Sequence, residues 1–363
     1  MHWQRFSHFL IFGSKKNKFL LYPVLLMIVL FCIDKVLLLD SIKKYIKTDF
    51  TYIYYESRED VFNLILTDKE IATREKKFMI ILGSSRLLYF DMQEMKDFYP
   101  DWIIYNLSSA VTTPAYYYYY LEKLLDHGII PDYVLLESDP NQFNENSPVF
   151  KGSNLTYSFD LPFVTRNIDL FGKDNFSFYL GKSLFAVGKN KPYLDTAYKR
   201  YKNPDFGSIS AMQDLTKEYL LKNRGNAISL VDVFVEKNYA MLESTSKRTL
   251  DWVYAAYKPS EMQYTFYEKI LQKLHEKKIT TVIVWPQSSP PMQKLIKQAP
   301  FTEDWKTRIT SINEKYGFVL RDMDNTEDYT CNTFVDGGHI AKDCYRPFLR
   351  YVMSEYFKEK TKK

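Results

Sequence analysis

The sequence predicts an α/β fold: a doubly wound, five-stranded parallel sheet with a largely helical insertion, preceded by one transmembrane helix. Three observations predict it. From Thr51 onward, short apolar runs rich in β-branched residues alternate with amphipathic stretches, the pattern of a parallel sheet covered by helices. Small polar residues follow the carboxyl end of each run, where loops leaving such a sheet gather. A strongly apolar segment stands near the N terminus.

Residues 1–18 read as a tail and 19–39 as an anchor. Phe19 to Ile33 carries no charge, Asp34 and Lys35 interrupt, and Val36 to Leu39 resumes. That length suits about 30 Å of hydrocarbon. No Ala-x-Ala cleavage site follows, so the expectation is an uncleaved single-pass anchor. Lys and Arg flank the segment on both sides and do not orient it by count. Residues 40–76 read as a stalk. The strands follow: Phe78 to Leu82, Trp102 to Asn106, Tyr133 to Glu137, Ile279 to Trp285, and a shorter Phe318 to Arg321. Helical stretches run roughly from Thr113 to Asp126, Glu261 to Lys277, Thr302 to Lys315 and Ala341 to Lys358. The core is thus expected in two parts, 77–147 and 261–363. The insertion between them, 148–260, far exceeds an ordinary crossover and reads as a cap or docking region.

Composition narrows the class. A net charge of +5, with its lysines dispersed, leaves no nucleic-acid footprint. Glu137 and Asp139 have no His or Cys beside them and a spacing that fits no cage, so no metal is expected there; the acyl chemistry read below needs no cofactor. The run Tyr116 to Tyr120 points in every direction around a helix, which favours packing over carbohydrate stacking. Cys32 falls in the apolar segment; Cys331 and Cys344 flank Asp336 and His339, and their spacing leaves a bridge and two free thiols both open.

The chemistry resides in two distant motifs. Gly83-Ser84-Ser85-Arg86 follows the first strand, and Asp336-Gly337-Gly338-His339 precedes the last helix. A serine hydroxyl needs an imidazole to become a nucleophile, and the imidazole needs a carboxylate to hold its tautomer. Of five histidines, His2 and His8 lie in the tail, and His127 and His275 end helices on the opposite edge of the sheet. His339 remains as base, Asp336 as its orienter and Ser85 as nucleophile. The bland alternatives are an N-capping serine and a His held by Asp336 without a chemical duty. Arg86 is a candidate for substrate contact or for a salt bridge, with the salt bridge favoured.

Gly-Ser-Ser after strand one, Asn106-Leu-Ser108-Ser109 after strand two, Ser138-Asp-Pro-Asn141 after strand three and Asp-x-x-His before the final helix together resemble the SGNH (GDSL-type) hydrolase superfamily. The nearest flavour is its envelope branch, the D-alanyl-lipoteichoic-acid transfer and alginate O-acetylation proteins, and uncharacterised spirochaetal proteins with one N-terminal anchor are similar too. The resemblance implies a flavodoxin-like core and matches Ser85 to the nucleophile and Asp336 and His339 to its partners. Ser84 takes the usual aspartate position. It also nominates the oxyanion donors: Ser85, Ser109, Ala110 and Asn141. The second block lacks its usual glycine.

The expected function is a membrane-anchored serine esterase or O-acyltransferase acting on an envelope glycan, lipid or acyl-carrying polymer, extracytoplasmic (periplasmic), and working beside a membrane-bound acyltransferase. The alternative is a catalytically weak or inactive scaffold of the same fold that binds glycan or recruits an acyltransferase.

Overall fold

A computed structural model of the chain describes residues 18–39, 41, 42, 45, 51–190, 194–203, 206–227 and 239–361. The chain divides into two compact units, residues 1–48 with 177–210, and residues 49–176 with 211–363.

The larger unit is α/β. Its five strands, β1 (Lys77–Leu82), β2 (Trp102–Asn106), β3 (Tyr133–Glu137), β4 (Thr280–Trp285) and β5 (Leu320–Asp322), form one sheet in the order β2-β1-β3-β4-β5. Every pairing is parallel. Strands buried on both faces read as near-continuous apolar runs, and β2 and β3 are buried at every position, with polar residues only at their last positions, Asn106 and Glu137. The strand order reverses between β1 and β3, and the crevice beyond their carboxyl ends is the place where ligands bind such sheets. β5 begins two residues later than the sequence suggests, because Phe318 is still taken up in the turn after the preceding helix, donating its N–H to Asn313 O at 2.9 Å.

The expected stalk is in part a core element. The Thr51–Thr67 helix buries Ile53, Ser57, Arg58, Val61, Phe62 and Ile65 in the larger unit. Arg58 Nη1 donates to the carbonyls of Asn106 and Gly225, each at 2.7 Å. Gly225, at φ +90°, lies so close to the Asn106 carbonyl that a Cβ would collide with it. The five consecutive tyrosines of the Pro114–Asp126 helix are all buried. Their hydroxyls find protein partners: Tyr116 donates to Leu107 O at 2.8 Å, Tyr118 to Glu122 at 2.8 Å, and Tyr117 pairs with Thr112 at 2.7 Å. The described part of the insertion is helical and is shared between the two units.

In the smaller unit the N-terminal apolar segment forms a helix, Lys18–Val36, of 19 residues. Asp34 accepts the backbone N–H groups of Ala186 at 2.6 Å and Val187 at 2.8 Å, and Lys35 bonds to Asp34 and to the Leu184 carbonyl. Turns close the helix at Leu37 to Leu39. The helix thus ends three residues short of the expected 19–39 segment, and Asp34 and Lys35, expected near a membrane interface, bond to residues 184–187 of the same unit. Among the described residues no helix is long and apolar enough to cross a membrane.

Candidate active site

Ser85 lies at the carboxyl end of β1, in a single 3-10 turn, Ser85–Leu87, whose N-cap Ser84 accepts the Arg86 N–H. Gly83 precedes it for a steric reason: a Cβ there would meet Glu137 Oε2 at 2.8 Å and the Leu87 side chain closer still. That closeness lets Glu137 accept both the Ser84 N–H, at 2.6 Å, and the Ser84 hydroxyl, at 2.8 Å. Burial raises the Glu137 carboxyl above its ordinary range, against the pull of the nearby Arg86 charge.

Asp336 and His339 occupy the tip of a small hairpin. Val335 N–H bonds to His339 O and Ala341 N–H to Thr333 O, each at 2.9 Å. Asp336 Oδ1 accepts the N–H groups of Gly338 at 2.8 Å and His339 at 3.0 Å, a local turn that Asp makes readily. The same carboxylate takes His339 Nδ1 at 2.8 and 3.0 Å. Cys331 and Cys344, whose pairing the sequence left open, are joined as a disulfide across the base of this hairpin with Cα atoms 5.7 Å apart.

The two motifs meet: Ser85 Oγ stands 2.7 Å from His339 Nε2. With Asp336 ionised, Nδ1 carries the ring proton and Nε2 accepts from the serine hydroxyl. Burial disfavours the charged imidazolium, but the charge and hydrogen bond of Asp336 outweigh it and hold the His339 pKa above its ordinary value. Burial would also raise Asp336; His339 and the two backbone donors instead bring it down to about 2. His127 and His275 are exposed and bond to backbone carbonyls elsewhere.

The nominated oxyanion donors fare differently. Ser85 N–H is taken by the Ala110 carbonyl at 3.3 Å, and Ser109 N–H by the Gly83 carbonyl at 3.2 Å. Both are therefore corrected: these bonds tie the loop after β2 to the nucleophile turn. Ala110 lines the cleft, and no described group accepts its N–H. Asn141 also lines it, its Nδ2 donating to Asp139 Oδ1 at 2.6 Å with only a 3.5 Å contact to the Tyr254 hydroxyl besides.

Arg86 forms the salt bridge favoured for it rather than a free substrate contact. Its guanidinium is buried, bonded to the Asp139 carboxylate and the Pro286 carbonyl. Asp139 is fully buried and also accepts Asn141 N–H at 2.9 Å, Tyr254 OH at 2.7 Å and Trp285 Nε1 at 3.0 Å. One carboxylate thus fixes the residue after the nucleophile, an oxyanion candidate and the end of the insertion. The sequence does not reveal this role, because three of its donors, Arg86, Tyr254 and Trp285, come from segments distant in the chain.

The cleft over Ser85 and His339 is a cavity of about 590 Å³. Arg248, Thr249 and Trp252 of the Tyr239–Val253 helix line it, and these also escaped the sequence reading.

A family model described as "Protein of unknown function (DUF1574)" matches residues 14–356. The chain belongs to this family. The match takes in both motifs and the whole insertion, so the Ser85, Asp336 and His339 arrangement and the cleft-lining helix fall within one family region. No curated protein matches the chain.

Proposed function

We propose that this chain is an SGNH-like serine esterase or O-acyltransferase, working through Ser85, His339 and Asp336. The observation that carries the reading is the continuous hydrogen-bond chain from Ser85 Oγ to His339 Nε2, at 2.7 Å, and from His339 Nδ1 to Asp336, at 2.8 Å, open to a cavity large enough for an acyl ester.

In the proposed step, Ser85 Oγ attacks the acyl carbonyl while His339 Nε2 takes its proton. Asp336 holds the ring and stabilises the imidazolium. The carbonyl oxygen, now an oxyanion, lies between the Ala110 N–H and Asn141 Nδ2. His339 returns the proton to the departing alcohol, leaving Ser85 acylated, and water or an acceptor hydroxyl then removes the acyl group by the reverse sequence. The substrate class we infer is an envelope glycan, lipid or acyl-carrying polymer. Covalent capture of Ser85 by a fluorophosphonate tests the reading.

One observation favours a second reading, a scaffold of the same fold with weak or no turnover. The Ser85 N–H is bonded to Ala110 O, which takes one expected donor from the oxyanion. Losing one such donor costs on the order of a hundredfold in rate.

We infer that the chain associates with a lipid bilayer through the Lys18–Val36 helix, with the larger unit outside the cytoplasm. In support, apolar side chains from Leu21 to Val36 are exposed around the helix, Met27 at 62% and Leu26 at 59%. The Cys331–Cys344 disulfide suits an oxidising compartment.

A further inference from the structure

The Tyr239–Val253 helix brings to the cleft a charge that the acyl chemistry does not use. Thr245 Oγ1 accepts the Gly337 N–H at 2.9 Å, which fixes this helix against the hairpin carrying Asp336 and His339. Arg248, Thr249, Trp252 and Val253 follow at three, four, seven and eight residues, the spacing of one helical face, and all four line the cavity that holds Ser85 and His339. Arg248 is exposed, and so is Trp252, at 55%.

The other charged groups of the cleft are matched. Asp336 is held by His339, and Arg86 by Asp139. Arg248 has no ion-pair partner among the described residues, although Glu243 and Asp251 share its helix. A guanidinium presents parallel N–H donors that suit two oxygens of a carboxylate or phosphate. Trp252 beside it offers a flat apolar face, and Met292 and Ile296 add apolar lining.

We propose that Arg248 determines specificity by binding an anionic oxygen group, phosphate or carboxylate, on the substrate, with Trp252 packing on the adjoining carbon skeleton. The proposal rests on the reading of this cleft as an acyl-transfer site. It accounts for the placement of a helix from the insertion, rather than from the sheet core, over the nucleophile: the core supplies the chemistry and the insertion reads the substrate.

The test measures binding to the full Ser85→Ala chain, which forms no acyl-enzyme, by titration calorimetry with glycerol 3-phosphate, glycerate and glycerol. At least one anion binds tenfold or more tightly than glycerol, and the better of the two identifies phosphate or carboxylate. Arg248→Gln abolishes that preference and Arg248→Lys keeps part of it, while thermal melts of both match the parent because the side chain is exposed. Equal affinity for anion and glycerol, absence of binding, or a preference that survives Arg248→Gln overturns the proposal. Because the nucleophile is already removed, Arg248-dependent anion binding in a chain whose wild type resists fluorophosphonate counts against the acyl-transfer reading alone.

Discussion

A Cβ placed on Gly337 would stand 2.5 Å from the Cα of Ser246. The hairpin that carries Asp336 and His339 is pressed onto the Tyr239–Val253 helix with no room for a side chain between them. Gly337→Ala forces the two apart. We expect a stability loss of about 1–3 kcal/mol, the usual cost of overpacking a close contact, and a larger fall in ester turnover than in stability because His339 shifts with the hairpin. Urea denaturation and kcat/KM on the same preparation check it; an alanine variant equal to the parent in both would contradict the contact.

The titration of His339 gives a signed expectation. A general base must be neutral, so turnover falls as pH drops through the His339 pKa, which Asp336 holds above 6.5 despite burial. Asp336→Asn removes that charge; the acid limb then moves to lower pH, and kcat drops on the order of 10³ to 10⁴. Stability runs in two windows. The His339 contribution is complete below its unfolded pKa and is lost as pH rises through the higher folded value. The Asp336 contribution is complete above its unfolded pKa and is lost as pH falls toward about 2. A pH–rate profile whose acid limb ignores the Asp336→Asn change would refute this coupling.

Asp139 accepts hydrogen bonds from Arg86, Asn141, Tyr254 and Trp285 while fully buried. Asp139→Ala strands the Arg86 guanidinium without its counter-ion, a change that costs about 3–5 kcal/mol when the pair is buried. The denaturation midpoint should fall accordingly at unchanged m-value. A loss well under 1 kcal/mol would show that the pair is not the anchor of the nucleophile turn.

The exposed apolar surface of the Lys18–Val36 helix predicts recovery of the full chain with membranes. Deletion of residues 1–48 should move the protein to the soluble fraction. Release of the full chain by alkaline carbonate without detergent would count against lipid association.

What was legible in the sequence was local. The strands were readable because both-face burial makes them continuous apolar runs, and Ser85 and His339 because each sits in a compact motif that sets its own turn. The Thr51–Thr67 helix was hidden because Ser57 and Arg58 occupy two positions of its buried stripe, breaking the apolar periodicity. Arg58 belongs there only because the Asn106 and Gly225 carbonyls await it. Asp139 and Arg248 were hidden for a related reason: their roles come from partners, or from the absence of partners, that only the folded chain defines. Nor does the pattern of the N-terminal apolar segment reveal that its Asp34 is recruited by Ala186 and Val187.

The most direct measurement of the central claim is mass-spectrometric mapping of the chain after reaction with a neutral fluorophosphonate. The account predicts a single stoichiometric adduct on Ser85, absent in Ser85→Ala and greatly slowed in His339→Ala. An unmodified Ser85 at full exposure to the reagent, or labelling at the same rate without His339, would contradict it.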